Sequence, residues 1–344
     1  MSKKNAKTEK SGNFFKRHKK LTTALIVIVS IILLFVLICL STYIPKTGDT
    51  DYNSEACLSN PYIVEDTLVS AHRAGRTLAP ENTLAAFDAC LNNGGEYEVD
   101  ILEFDLHLTK DEDLILLHDD TLDRTSDCAN YGEKNVKPID KTVEELKVYN
   151  MGYNFEENGE YPYRKEGADL TNCRIVTLTD VFDFLKENGK LDSMRFIIEI
   201  KDGKNNGYKA ADILADTLKE YGLLDKTVVG TFKGEVSKYL DSDHPEIIRS
   251  AGIAEVLGFY FASVLGIKLD NVKYKVLQIP YKDFVLNFGK KSLVDYAHKY
   301  GIAVQYWTIN KEKDIRHLTK IGADAIISDN PKLAYEVIND VYGR

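Results

Sequence analysis

The spacing of apolar and polar positions divides the chain into two unequal parts. Leu21 to Leu40 is one uninterrupted run without a charge. From Thr67 onward, short β-branched runs alternate with stretches whose apolar residues recur at helical spacing. The β-branched runs predict strands at Leu68–His72, Ile101–Leu106, Arg195–Ile200, Thr227–Thr231, Ile247–Ser250, Val276–Pro280, Ile302–Trp307 and Ala325–Ser328. Helical patterns such as Thr83–Asn92, Tyr208–Tyr221 and Lys290–Tyr300 separate most of them. Strands alternating with amphipathic helices predict parallel pairing, and eight of them over residues 67–344 suit one α/β barrel of about 250 residues.

Leu114–His118 does not fit that count. A handful of residues from Thr109 to Asp113 separates it from the preceding strand, whereas parallel neighbours need a crossover of about a dozen or more. It is expected as a hairpin or an excursion at the barrel mouth. Residues 125–172 form a long insertion with little periodicity beyond a short helix near Val143–Val148, and loops of that length are uncommon unless functional. Val256–Ile267 is strongly apolar but too short to span a bilayer, so a buried barrel helix is the plain expectation. Residues 41–66 are polar, with Gly, Pro and Asn, and read as a stalk or linker.

The uncharged run changes the picture of where the barrel sits. At ~1.5 Å per residue its twenty residues span roughly 30 Å, the hydrocarbon thickness of a bilayer. A cleaved signal peptide would have a shorter apolar core and small residues at the cut, and Ser41-Thr42-Tyr43-Ile44-Pro45 is a poor site of that kind. Residues 1–20 hold eight Lys or Arg and one acid, Glu9. That bias predicts a basic cytoplasmic tail, a transmembrane helix over 21–40 and an extracytoplasmic barrel at a cell membrane, as in a bacterial surface enzyme.

The full chain has 44 basic and 53 acidic residues, so without the tail it has 36 against 52, a balance of −16. A domain that acidic is a poor non-specific partner for nucleic acid or anionic lipid faces. Five cysteines occur, with Cys39 inside the uncharged run. Cys128 and Cys173 flank the irregular insertion, where a bridge would close a loop, while Cys90 falls in a helical pattern as a small core residue.

The predicted strands end in unusual company. Ala71-His72-Arg73 closes the first, Glu103-Phe104-Asp105 lies in the second with His107 on the same face, and Glu199-Ile200-Lys201 closes the third. Pro80-Glu81-Asn82-Thr83 and His118-Asp119 lie near them in sequence. Active sites of such barrels gather at the carboxyl ends of the strands, so residues far apart in sequence are expected at one mouth. Glu103, Asp105 and Glu199 offer hard oxygen ligands suited to Mg²⁺ or Ca²⁺. Arg73 and Lys201 could hold phosphate oxygens, and His72 and His118 could exchange protons near neutral pH. Taken singly, each has an ordinary reading: a structural histidine at a strand end, a chance Glu-x-Asp, a helix start at Asn82 or Thr83. Their joint occurrence at strand ends is what those readings do not explain.

These segments, in this order, resemble the glycerophosphodiester phosphodiesterase family. Thr109-Lys110-Asp111, Leu122-Asp123-Arg124-Thr125, Trp307-Thr308-Ile309-Asn310 and Gly322-Ala323-Asp324-Ala325-Ile326-Ile327-Ser328-Asp329 extend the likeness from about Ser70 to Pro331. The resemblance implies a distorted TIM barrel of the phospholipase-C-like phosphodiesterase type, a divalent cation, and hydrolysis of glycerophosphodiesters to sn-glycerol 3-phosphate and an alcohol. It matches His72 and His118 to the acid/base pair and Glu103, Asp105 and Glu199 to the metal ligands. Arg73 and Lys201 match phosphate-contacting positions, and Trp307 an aromatic at the glycerol end. Substrates on this reading are small glycerophosphodiesters, lysophospholipids or glycerophosphate polymers. A lysophospholipase D-like or phosphoinositide-cleaving relative on the same barrel and a catalytically silent phospholipid-binding barrel are the alternatives. The family usually has Gly after His-Arg, where this chain has Ala74 followed by Gly75, so a small backbone adjustment is expected there.

Overall fold

The computed structural model describes residues 22–23, 25–32, 44, 47–282 and 286–344. Nine strands form one sheet: β1 (Leu68–Ala71), β2 (Ile101–Leu108), β3 (Leu114–Leu116), β4 (Arg195–Ile200), β5 (Thr227–Gly230), β6 (Ile248–Arg249), β7 (Val276–Pro280), β8 (Ala303–Trp307) and β9 (Ala325–Ser328). All but β3 pair in parallel, in the order β6-β5-β4-β2-β1-β9-β8-β7. A parallel bridge between Ser250 and Val276 joins the two ends, so the sheet is a nearly closed eight-stranded barrel. β3 runs antiparallel to β2, with His107 opposite Ile115, and is the expected hairpin.

Strand parity sorts the side chains. Leu102, Phe104 and Leu106 of β2, with Phe196, Ile198 and Ile200 of β4, join the large core between the sheet and its helices. The alternate residues face the barrel axis. There Ile101, Ile197, Ala325 and Ile327 form a small apolar layer, and Glu103, Asp105 and Glu199 come next along the same faces toward the carboxyl ends. Asp105 stands opposite Glu199 in the β2–β4 register. Asp100, which precedes β2, accepts a hydrogen bond from the Val69 amide at 2.8 Å and so serves the sheet rather than the mouth.

The helices are α1 (Glu55–Leu58), α2 (Leu84–Leu91), α3 (Val143–Leu146), α4 (Leu178–Glu187), α5 (Lys204–Glu220), α6 (Gly234–Asp243), α7 (Ile253–Leu265), α8 (Lys291–Lys299), α9 (Glu312–Lys320) and α10 (Pro331–Tyr342). The insertion has its own apolar centre: Cys128, Val136, Leu146, Tyr149 and Met151 pack with Ile115, Leu117 and Leu122. A reciprocal Thr142–Glu145 capping box starts α3.

Where it is described, at residues 44 and 47–66, the expected stalk is instead a packed strap. Tyr62 and Ile63 cluster with Val228, Val276 and Ala303 at the amino-terminal end of the barrel. Asn60 donates to the carbonyls of Lys275 and Gly301 at 2.8 and 2.9 Å, and Thr50 donates to Asp295 of α8 at 3.0 Å. Further back, Ile44 is already buried in the main core. The strap could not be read locally, because the partners named here lie more than 160 residues away in sequence.

Asp324 anchors the strap from below β9. Its fully buried carboxylate accepts from the Val64 amide at 2.8 Å, from the Val304 amide at 2.6 Å and from His298 at 2.8 Å. Asp324→Asn keeps the shape but removes the charge and misorients one donor. It is expected to cost about 1.5–3 kcal/mol, read as a lower urea midpoint, and an unchanged midpoint would show that the network adds nothing.

Two further expectations meet the structure here. Cys57, Cys90, Cys128 and Cys173 are all buried free thiols, so no bridge closes the insertion; Cys128 packs as an apolar side chain instead. Residues 22–23 and 25–32 are helical, while the rest of the expected span at 21–40 lies outside the described residues. Among the described residues no helix is long and apolar enough to cross a membrane.

Candidate active site

An open cavity lies at the carboxyl ends of the strands. His72, Arg73, Glu103, Asp105, His118, Glu199, Lys201 and Trp307 all line it, so the structure brings every expected site residue to one place. Ile197, Ile327, Phe232 and Ala251 add apolar wall, and the Phe232 ring meets Trp307 edge-on with 6.0 Å between centroids.

The turn after β1 is backbone under strain. Arg73 and Ala74 have φ of 51° and 60°, and Gly75 follows at 84°. The turn aims the Arg73 amide at Glu103, which accepts from it at 2.7 Å. Ala74 thus keeps a left-handed conformation despite its Cβ. Gly75 has no such latitude, since a Cβ there would stand 2.7 Å from the Cys90 sulfur. Gly75→Ala is expected to destabilise by about 2–3 kcal/mol, from positive-φ strain plus overpacking, as a chemical-denaturation series would read. A loss under about 0.5 kcal/mol would show that the turn relaxes freely.

Each histidine facing the cavity is held by a carboxylate. His72 Nδ1 lies 2.5 Å from Asp329 Oδ1, and His118 Nδ1 lies 2.7 Å from Asp119 Oδ1. An ionised carboxylate only accepts, so Nδ1 carries the proton in both rings and Nε2 is the free nitrogen. Asn310 steadies Asp329 with a 2.7 Å bond, and Arg124 steadies Asp119 at 2.6 Å. Burial disfavours a charged His72, but Glu103 and Asp329 outweigh it and raise its pKa. His118 moves the other way, lowered first by burial, with Arg73 and Lys201 adding to the effect.

The three acids crowd one another. Burial, with Asp105 and Glu199 nearby, pushes Glu103 up to about 7. Glu199 is raised as well, again chiefly by burial. The Lys201 ammonium stands 3.4 Å from Asp105 and 3.1 Å from Glu199. Arg73 reaches Glu81 at 2.9 Å and lies 3.8 Å from Asp105. Arg124 also holds Glu81, whose carboxylate these cations draw down to about 2 against the opposing effect of burial.

Among the described residues no group of three or more ligating side chains is already closed around one point, because Lys201 lies between two of the acids. The donor set nevertheless fits a hard cation. Its oxygens are carboxylate oxygens, and burial, with the neighbouring acids, raises the pKa of two of them.

Sequence reasoning placed His107 with Glu103 and Asp105, but it does not line the cavity. β2 runs on past the mouth, and His107 pairs with Asp202 at 3.1 Å. The positioning residues Asp119, Asp329, Glu81, Arg124 and Asn310 had no role in the sequence reading, though all lie in segments that carried the resemblance. The usable signal was the position of Asp329 at the end of the strand that pairs with β1.

A nearly closed α/β barrel whose mouth joins two carboxylate-oriented histidines, three acids and two cations defines a phosphoester-handling hydrolase. The model of the glycerophosphoryl diester phosphodiesterase family matches residues 72–333, and the chain belongs to that family of phosphoric diester hydrolases. It is 28% identical over 272 residues to a glycerophosphodiester phosphodiesterase of Caldanaerobacter subterraneus, covering 79% of this chain and 98% of the relative. It is 24% identical over 296 residues to a lysophospholipase D of Rattus norvegicus, covering 79% and 86%. The structure of an Oleispira antarctica phosphodiesterase in complex with its product sn-glycerol-3-phosphate superposes with a TM-score of 0.59. It has 23% identity and covers 80% of this chain and 97% of the other, a likeness of fold.

Proposed function

We propose that this enzyme hydrolyses glycerophosphodiesters to sn-glycerol 3-phosphate and an alcohol, with His72 and His118 as its acid/base pair, at the outer face of a membrane. The observation that carries the reading is that both imidazoles share one cavity and each has Nδ1 tied to a carboxylate. That arrangement leaves two Nε2 atoms to do opposite jobs: one protonates the departing alcohol oxygen, and the other takes the proton of the attacking water. Arg73 and Lys201 supply positive charge toward the phosphoryl oxygens, and Glu81 holds the Arg73 guanidinium in place. Trp307 and Phe232 offer an apolar wall to the glycerol carbons. Glu103, Asp105 and Glu199 would hold a divalent cation, Mg²⁺ or Ca²⁺, which when bound stabilises negative charge on the phosphoryl oxygens.

The uncharged run at 21–40 and the basic residues before it support the membrane placement. The lysophospholipase D relative supports a second substrate class, lysophospholipids, at the same site. The test is a panel of diesters, including glycerophosphocholine and lysophosphatidylcholine, given to the purified full chain with Mg²⁺ or Ca²⁺ and followed by product identification. Release of glycerol 3-phosphate supports the reading. A cyclic phosphate as end product points to the phosphoinositide-cleaving alternative, and no product from any diester removes the proposal.

A further inference from the structure

α7 carries apolar side chains on its outer face. Ile253, Leu257 and Leu265 are 58%, 38% and 57% exposed, and Ala254 and Gly258 are exposed beside them. At 3.6 residues per turn these positions share one side of the helix. The one charge in α7, Glu255, is turned to Arg249 at 2.8 Å. Other barrel helices look different: α5 exposes Asp216, Lys219 and Glu220, and α9 exposes Lys313 and Lys320. The expectation of a buried barrel helix holds for one face, where Phe259, Tyr260 and Ser263 are buried, and not for the opposite one.

The face begins at the mouth. Ala251 lines the cavity, Gly252 caps α7, and Ile253 follows at once. Phe232, also at the mouth, is 52% exposed. The strap supplies the second half of the argument. Ile44 is buried in the core, and only residues 41–43 separate it from the uncharged run ending at Leu40. Four residue steps reach at most about 14 Å, so a barrel anchored by that run lies against its bilayer rather than on a long stalk. The strap docks on α8, and α8 touches the end of α7, where the Tyr296 hydroxyl donates to the Ile267 carbonyl.

We propose that the outer face of α7 rests in the surface of the chain's own bilayer and sets the β5–β6 side of the mouth at the lipid. A lysophospholipid then passes from the membrane into the cavity without crossing water. This inference rests on the reading of 21–40 as an anchor. The occupant is lipid, because the tether holds the barrel against a bilayer and the face has no charge for a polar partner. With a balance of −16 outside the tail, the contact is apolar and does not need anionic lipid.

The test uses the full chain in phosphatidylcholine vesicles. Trp307 is the one tryptophan, so Leu257→Trp and Lys313→Trp are each placed in a Trp307→Phe background. Lipids brominated on the acyl chain should quench the probe on α7 and spare the probe on α9. In the wild-type background, Ile253→Glu with Leu257→Glu should lower hydrolysis of vesicle-borne lysophosphatidylcholine by about tenfold. Glycerophosphocholine in solution should be cleaved at the wild-type rate, which also shows that the variant folds. Equal quenching of the two probes overturns the proposal, as does an equal fall for both substrates or self-association through α7 that replaces quenching. Alkaline extraction separates the two readings. A chain stripped from the vesicles has lost the anchor reading, whereas a chain retained without quenching at residue 257 keeps the anchor and loses the docking.

Discussion

Turnover by the His72→Ala variant is expected to fall about 10³–10⁴-fold, with the affinity for diester nearly unchanged. The reason is geometric. His72 ends β1 in a strained turn, Asp329 fixes its Nδ1 proton, and its Nε2 lies 4.0 Å from Glu103, on the side of the acids. The substitution deletes the proposed proton carrier and leaves Arg73 and Lys201, the proposed phosphate contacts, in place. The loss should therefore appear in kcat and not in KM, measured at steady state with glycerol 3-phosphate as the readout. A catalytically silent binding barrel would show no turnover to lose. A fall smaller than about tenfold would mean that a water or the other histidine carries the proton.

The second large effect is expected from Glu199→Gln, which keeps the size of the side chain and removes its charge. Glu199 faces Asp105 across β2 and β4, and Lys201 is 3.1 Å away. Without the Glu199 charge, the Lys201 ammonium turns wholly to Asp105 and competes there with any divalent ion. Apparent cation affinity and turnover should fall together by about 10²-fold, and added cation should restore part of the rate. Titrating activity against Mg²⁺ and Ca²⁺ in wild type and variant reads both quantities. Full wild-type activity in excess chelator would refute the metal role outright.

The strands were readable because parallel strands are buried on both faces and appear as dense β-branched runs. Arg195–Ile200, Val276–Pro280 and Ala325–Ser328 fall where the pattern places them, and the short connection before Leu114 could only be a hairpin. That the candidate residues gather at one mouth was legible for a related reason: polar side chains at the ends of inward-facing apolar runs point toward the axis or the mouth. What stayed hidden depends on distant partners. The strap has the composition of a linker, and nothing local shows that Asp324 waits for the Val64 amide. The exposed half of α7 was hidden because apolarity alone does not say which face the barrel covers. His107 misled because parity gives the face of a strand and not its height, and β2 continues beyond the cavity.

The pairing of His72 with Asp329 joins residues 257 apart in sequence, and β1 is flanked on that side by the last strand, β9. A chain still being synthesised therefore holds His72 long before it holds the carboxylate that orients it. Until the final strand has emerged and closed the sheet, the imidazole lacks that partner and the mouth lacks a wall. If His72 is the proposed proton carrier, a nascent or carboxy-terminally truncated chain is expected to be inert toward phosphodiesters. On the same reading activity is expected only once the last strand has docked, a slow step for contacts so distant along the chain.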